Sequence, residues 1–357
     1  MSYVLAFVGF AALIILHELG HFAAAKAVGM RVERFALFFP PLLARVRRGE
    51  TEYAVGAIPL GGYVKITGMS PAEEVPPAVA HRAYYRQPVW KRVFVISAGP
   101  AVNIALAFVI LWGILAFSTI QEVTPRVESV SATAPAAGVL QAGDVVVAVD
   151  GQGGTQAELS RRIASHTCPD NLRRDGCRSE TPVQITVERD GARRTFSLTP
   201  EYSADARRPV VGFAFERLLH DYSPAQAVGE SVKRMWNFTT VTVTTLAQIF
   251  DPEVRKELSG VVGSYEMTRQ AIEFGVVDAL SLLAVISLSL GVINLFPFLP
   301  LDGGHIFWAV AEKVRGRAIS FQTMERAGFV GFVLVIALFV IGLSNDIGRL
   351  RGEGFGI

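Results

Sequence analysis

Apolar residues gather into four long runs, separated by polar stretches of very unequal length. The runs cover Tyr3–Val28, Val93–Ile120, Ala279–Leu299 and Ala327–Ser344. Each is near the roughly 20 residues a helix needs to cross a bilayer. The first predicts a span over 1–30 rather than a cleaved leader, since no Lys or Arg precedes Lys26 and the run continues into His17, Glu18 and His21. Within 31–92, residues 31–68 alternate in the manner of strands, and Gly61-Gly62, between Ile58 and Tyr63, reads as the tight turn of a β-hairpin. Its strands carry Phe35, Leu37, Phe38, Phe39 and Leu60. So apolar a hairpin is expected at the membrane, where protein or a wet cavity shields its backbone.

After the second span (93–120), residues 121–205 read as a compact α+β domain. Strands are expected at Arg126–Val130 and Asp144–Val149, and a helix at Thr155–Ser165. Val183–Glu188 and Thr195–Leu198 should form a hairpin around Asp190-Gly191. Residues 206–278 read as an amphipathic helical region, clearest over 223–275, followed by a third span (279–301), a loop (302–326) and a fourth span with its tail (327–357). The fold class is therefore a polytopic α-helical membrane protein of about four transmembrane helices, with a membrane-associated β-hairpin and one inserted α+β domain.

Composition agrees with a membrane chain. Of 357 residues 51% are hydrophobic and 18% charged, where soluble domains carry about a quarter charged residues. The net charge of +2 without a Lys/Arg run gives no reason to expect nucleic acid as a partner. Arg31, Arg34, Arg45, Arg47, Arg48 and Arg82 make the first inter-span stretch basic, and Lys313, Arg315, Arg317 and Arg326 do the same for 302–326. The positive-inside rule then puts both stretches in the cytoplasm, and both termini and the inserted domain outside. Outside the cytoplasm, Cys168 and Cys177 suit one disulfide, with two free thiols as the alternative.

The chemistry sits in His17-Glu18-Leu19-Gly20-His21, inside an apolar run. Residues four apart share a helix face, so both imidazoles can meet one Zn²⁺. Glu18, offset by one position, can take a proton from water instead of binding the metal. Ionisable groups at mid-membrane cost about 2.5–3.5 kcal/mol each, which argues for use rather than accident. A third ligand is expected near the end of the third span, where Pro297 and Pro300 prevent a regular helix and Gly303 and Gly304 let the chain turn closely around Asp302. Two other readings remain there: Asp302 as the cap of a following helix, and His305 as a rival ligand.

A His-Glu-x-x-His in the first span, Asn294-x-x-Pro297-x-x-x-Leu301-Asp302-Gly303 after the third, and an inserted domain between them resemble the site-2 protease family of intramembrane zinc metalloproteases, in its RseP-type bacterial branch. The stretch TEYAVGAIPLGG ending at Gly62, Gly99-Pro100-Ala101-Val102-Asn103, and Asn345-Asp346 are similar to family signatures, and Ala134–Asp144 with Asp150-Gly151 resembles bacterial PDZ domains. The resemblance implies His17, His21 and Asp302 as zinc ligands and Glu18 as general base. It implies a substrate cleft shaped by Asn294, Pro297, Ile58, Gly61, Gly62, Tyr63 and Asn103, although an intramembrane Asn294 can equally just link helices. Expected partners are single-span membrane proteins, such as anti-sigma factors or remnant signal peptides, a peptide held by the PDZ-like domain, and the bilayer of a bacterial inner membrane. The branch's type member carries two PDZ domains in tandem, whereas this chain has room for one. A catalytically inactive scaffold and a metal-ion transporter are the competing classes, and the intact Glu18 speaks against both.

Overall fold

The computed structural model describes residues 2–350 apart from 70–72, 170–173, 207, 250, 252–254, 256–257, 259, 318 and 320. The chain forms two units: Met1–Ser118 with Ser223–Ile357, and Thr119–Tyr222.

In the first unit, four helices are long and apolar enough to cross a membrane: α1 (Ser2–Ala27), α2 (Val89–Phe117), α6 (Val276–Asn294) and α8 (Phe321–Gly348). Many of their large apolar side chains, including Val4, Phe94, Val109 and Phe329, are exposed, as lipid-facing positions require. α2 is the hub, packing against α1, α6, α4 (Pro224–Ala247) and α7 (Asp302–Arg315). Small residues let these helices approach closely. A side chain at Gly20 of α1 would meet Ala98 O of α2 at 2.6 Å, and one at Gly291 of α6 would meet Pro100 O at 3.0 Å.

Strands β1 (Val32–Arg48) and β2 (Thr51–Ile66) follow α1. Their register doubles back: residues 32–37 partner 62–66, residues 34–37 also partner 52–55, and 42–48 partner 51–56. The tight turn is therefore Gly49-Glu50, with Gly49 at φ 60°, and not Gly61-Gly62, which lies within β2. The glycine pair serves close packing instead: a side chain at Gly61 would run into the Phe39 ring at 2.9 Å. Glu50 in that turn pairs with Lys26 at 2.8 Å and Arg82 at 2.7 Å, tying the hairpin to the end of α1 and to the 3-10 helix Pro77–Arg82.

Helix α5 (Val261–Phe274) packs on α1, α6 and α8. Its first turn is satisfied from a distance: the buried Asp346 of α8 accepts from Gly260 N at 3.1 Å and Gly263 N at 2.8 Å. Anions at a helix N-terminus stabilise it by about 0.3–1 kcal/mol. Residues 302–315, expected to lie in a loop, form α7, which begins at Asp302 and closes at Gly316 with φ 70°.

The second unit has a five-stranded antiparallel sheet in the order β6-β5-β4-β3-β9: β3 (Ile120–Val130), β4 (Val145–Val149), β5 (Val183–Arg189), β6 (Ala192–Leu198) and β9 (Phe213–His220). A short ribbon, β7 (Glu201–Ser203) with β8 (Arg208–Val210), precedes β9. The unit thus runs past 205 to Tyr222, because β9 pairs along β3 and completes the sheet. Helix α3 (Gln156–Ala164) starts in a capping box between Thr155 and Glu158, worth about 1 kcal/mol. Leu159 and Ile163 of α3 join Val127, Val146, Ile185 and Val187 in the core. Cys168 and Cys177 are joined as a disulfide.

Candidate metal centre

α1 carries His17 and His21 one turn apart, both 7% exposed, on the face turned towards the interior of the helices. The third element is the break after α6. Asn294 ends the helix, its Nδ2 donating to Leu290 O at 3.0 Å. The chain then turns through Leu295–Leu301, with Phe298 N donating to Phe296 O and Leu301 N to Phe298 O, both at 2.8 Å. Gly303 and Gly304 sit so close to the backbone of 295–299 that a Cβ on either would collide with it. This folds α7 back and aims the Asp302 carboxylate at the two imidazoles. α7 has no side-chain cap, so Asp302 is not spent on one.

Three atoms converge. His17 Nε2 and His21 Nε2 are 3.3 Å apart, and each is 3.2 Å from Asp302 Oδ2. His21 Nδ1 is 2.9 Å from Val95 O, which can only accept, so its hydrogen is on Nδ1 and Nε2 presents a lone pair. A lone pair thus faces a carboxylate oxygen that is itself buried with no hydrogen-bond donor among the described residues. That juxtaposition is repulsive until a cation lies between. Tetrahedral bonds of about 2.0–2.1 Å put neighbouring donors about 3.3–3.4 Å apart, so this donor set fits Zn²⁺ in size and in chemistry. His305, one turn beyond Asp302, is not a member of the cluster.

Around the cluster, Glu18 is half-buried and packs against β2: a side chain at Gly62 would meet Glu18 Cγ at 2.8 Å and Ile14 Cγ2 at 3.3 Å. Ile58 is 41% exposed, while Tyr63 stacks on Phe39 and accepts from Arg34 Nη1 at 3.1 Å. Pro297 is exposed on the break. Asn103, grouped by resemblance with the substrate cleft, is placed differently: it is fully buried, with Nδ2 3.3 Å from His17 Nδ1. Sequence reading also missed three supports. Val95 O orients His21, and Gly99 leaves room for the His21 ring, which any side chain there would strike. Arg92 forks onto Glu312 at 2.8 and 3.0 Å, fixing α7, and so Asp302, to α2. Partners 220 positions apart leave no local signal; only the apolar setting of Arg92 hinted at one.

Residues 5–338 match the profile of peptidase family M50. The chain belongs to that family. Its relatives include a Rhizobium meliloti protein with the provisional name zinc metalloprotease, 29% identical over 95% of this chain and 94% of its own length. A Brucella suis protein with the same kind of name is 30% identical over 94% and 92%. The regulator of sigma-E protease RseP of Salmonella typhimurium is 27% identical over 95% and 96%. A solved PDZ domain of an SdrC-like protein from Listeria innocua aligns with 28% of this chain and 99% of its own, at 24% identity and a TM-score of 0.22. As an M50 member with these relatives, the chain is a zinc metalloprotease with several membrane-crossing helices.

Proposed function

We propose that this M50 protease cuts single-span membrane proteins within or beside their spanning segments, with His17, His21 and Asp302 holding zinc and Glu18 as its base. The observation that carries the reading is the meeting of two buried imidazole Nε2 atoms and a donorless carboxylate oxygen at 3.2–3.3 Å, inside a bundle of apolar helices. Zinc, when bound, supplies Lewis acidity, which polarises a peptide carbonyl and acidifies water.

The chain's own residues do the rest. Glu18 takes the proton of the attacking water and passes it to the leaving amine. Its place beside Gly62 puts the segment Ile58–Tyr63 next to the reacting groups. A substrate helix must unwind to expose a carbonyl, and pairing with this strand segment offsets the backbone hydrogen bonds lost. Asn294 and Pro297, on the break that delivers Asp302, are assigned to the wall of the same cleft by the resemblance of their motif. Basic residues in 31–92 and 302–326 support a cytoplasmic-side centre and an external Thr119–Tyr222 unit, in a bacterial inner membrane. That unit is read as PDZ-like: a groove of about 420 Å³ between Ser160 and Ile163 of α3 and the Arg208–Phe215 stretch suits an extended peptide. Anti-sigma factors and remnant signal peptides are the proposed substrate types.

The test is cleavage of a single-span substrate by purified protein in detergent, with zinc measured on the same samples. Glu18→Gln should keep its zinc and lose about 10²–10⁴-fold in rate. A Glu18→Gln protein that cuts at the wild-type rate would remove the base. Wild-type protein that holds zinc yet cuts none of several substrates would favour a scaffold.

A further inference from the structure

Zinc at Nε2 of a histidine forces the ring's hydrogen onto Nδ1, so each ligand needs an acceptor at its far side. For His21 that acceptor is Val95 O on α2, at 2.9 Å. Two turns further along α2, on the same face, the group opposite His17 Nδ1 is the side chain of Asn103. In the rotamer observed, Asn103 turns its Nδ2 donor to His17 at 3.3 Å, while its Oδ1 is buried without a partner. A donor there requires the other His17 tautomer, with hydrogen on Nε2, which would block the metal. The two ends of a carboxamide have nearly the same shape, so a half-turn about the last side-chain bond brings Oδ1 to His17 at no steric cost.

We propose that Asn103 is a positioning residue for the metal: with zinc bound, its Oδ1 accepts the Nδ1 hydrogen of His17 and holds that ring with Nε2 aimed at the site. The inference rests on the zinc reading of His17, His21 and Asp302. Asn103 is itself held rigidly. It is fully buried, its own backbone carbonyl accepts from Ser287 Oγ of α6 at 2.9 Å, and Gly291 admits the close approach of that helix. α2 thus supplies both acceptors, one from backbone and one from side chain.

The measurement is zinc affinity by competition with a chelator, on purified full-length protein in detergent, for Asn103→Asp, Asn103→Leu and Asn103→Ala. Asp keeps an acceptor in the same place; Leu fills the same volume with none; Ala covers the case in which Leu does not fold. The expected order is wild type close to Asp, with Leu and Ala weaker by about 10–100-fold. Ser287→Ala, which removes a bond to the Asn103 backbone and leaves the amide in place, should bind zinc within about threefold of wild type. Leu or Ala binding as tightly as wild type would overturn the role of Asn103 while leaving the zinc centre standing. Asp binding no better than Leu would overturn it too, since packing alone would then explain the site. Wild-type protein with no measurable zinc affinity would instead bring down the metal centre, and this inference with it.

Discussion

Two carboxylates, one in each unit, are taken out of solvent in opposite ways. Asp144 is 1% exposed and fully met by donors: Arg189 Nε at 2.6 Å, Arg189 Nη2 at 2.7 Å and Gln141 N at 2.8 Å. The Arg189 hydrogen bonds hold its pKa below the usual carboxylate range. Arg189 also donates to Val139 O and lies over the Phe196 ring, so the pair locks the start of β4 to β5. Asp302 meets two imidazole nitrogens at 3.2 Å, and its Oδ2 has no donor among the described residues. A carboxylate closed by donors completes a fold; one aimed at two imidazoles suits a shared cation. Burial alone does not separate them, and the identity of the facing atoms does.

That contrast can be broken by exchanging the consequences. Asp144→Asn leaves Arg189 with half its partner, and breaking a buried pair costs about 3–5 kcal/mol. Unfolding of the full-length protein, followed through the Thr119–Tyr222 unit, should show a loss of that order with zinc content unchanged. A smaller effect is expected from Gly99→Ala, which replaces no ligand yet puts a methyl group against His21 Nε2 and its ring. Zinc affinity should fall by about 10–100-fold, and an unchanged affinity would mean that α2 does not set the ring. Smallest is the contribution of Glu50, a donor-closed carboxylate at the surface, whose pKa is lowered to about 2 first by Arg82 and then by Lys26. A depressed pKa contributes stability that is present above the unfolded-state value of 4.5 and lost as pH falls through about 2. Glu50→Gln should therefore be less stable than wild type at pH 7, with a gap that narrows below pH 4.5 in thermal melts and shrinks in high salt.

Much of this was legible before any coordinates, for particular reasons. Span length and apolar run are local properties, so the four long helices could be read directly. The spacing of His17 and His21 is also local, since helix geometry alone places them together. Asp302 was legible because Pro297 and Pro300 prevent a regular helix, which marks the break that delivers it. The turn at Gly61-Gly62 was misread because glycine answers two demands, positive φ and close approach, and sequence does not say which. Here Gly49 meets the first and Gly62, against Glu18, the second. β9 was hidden because its partner β3 begins about 90 positions earlier in the chain. Asn103 and Arg92 lay in plain view, yet what they face is decided by packing between helices.

The most direct test is the zinc content, by elemental analysis, of wild type, Asp302→Asn and Asp144→Asn purified side by side. The account predicts near-stoichiometric zinc in wild type and Asp144→Asn, and loss of most of it in Asp302→Asn with the helices still folded. Asp302→Asn retaining zinc at the wild-type level, or Asp144→Asn losing it, would contradict the distinction drawn between the two carboxylates.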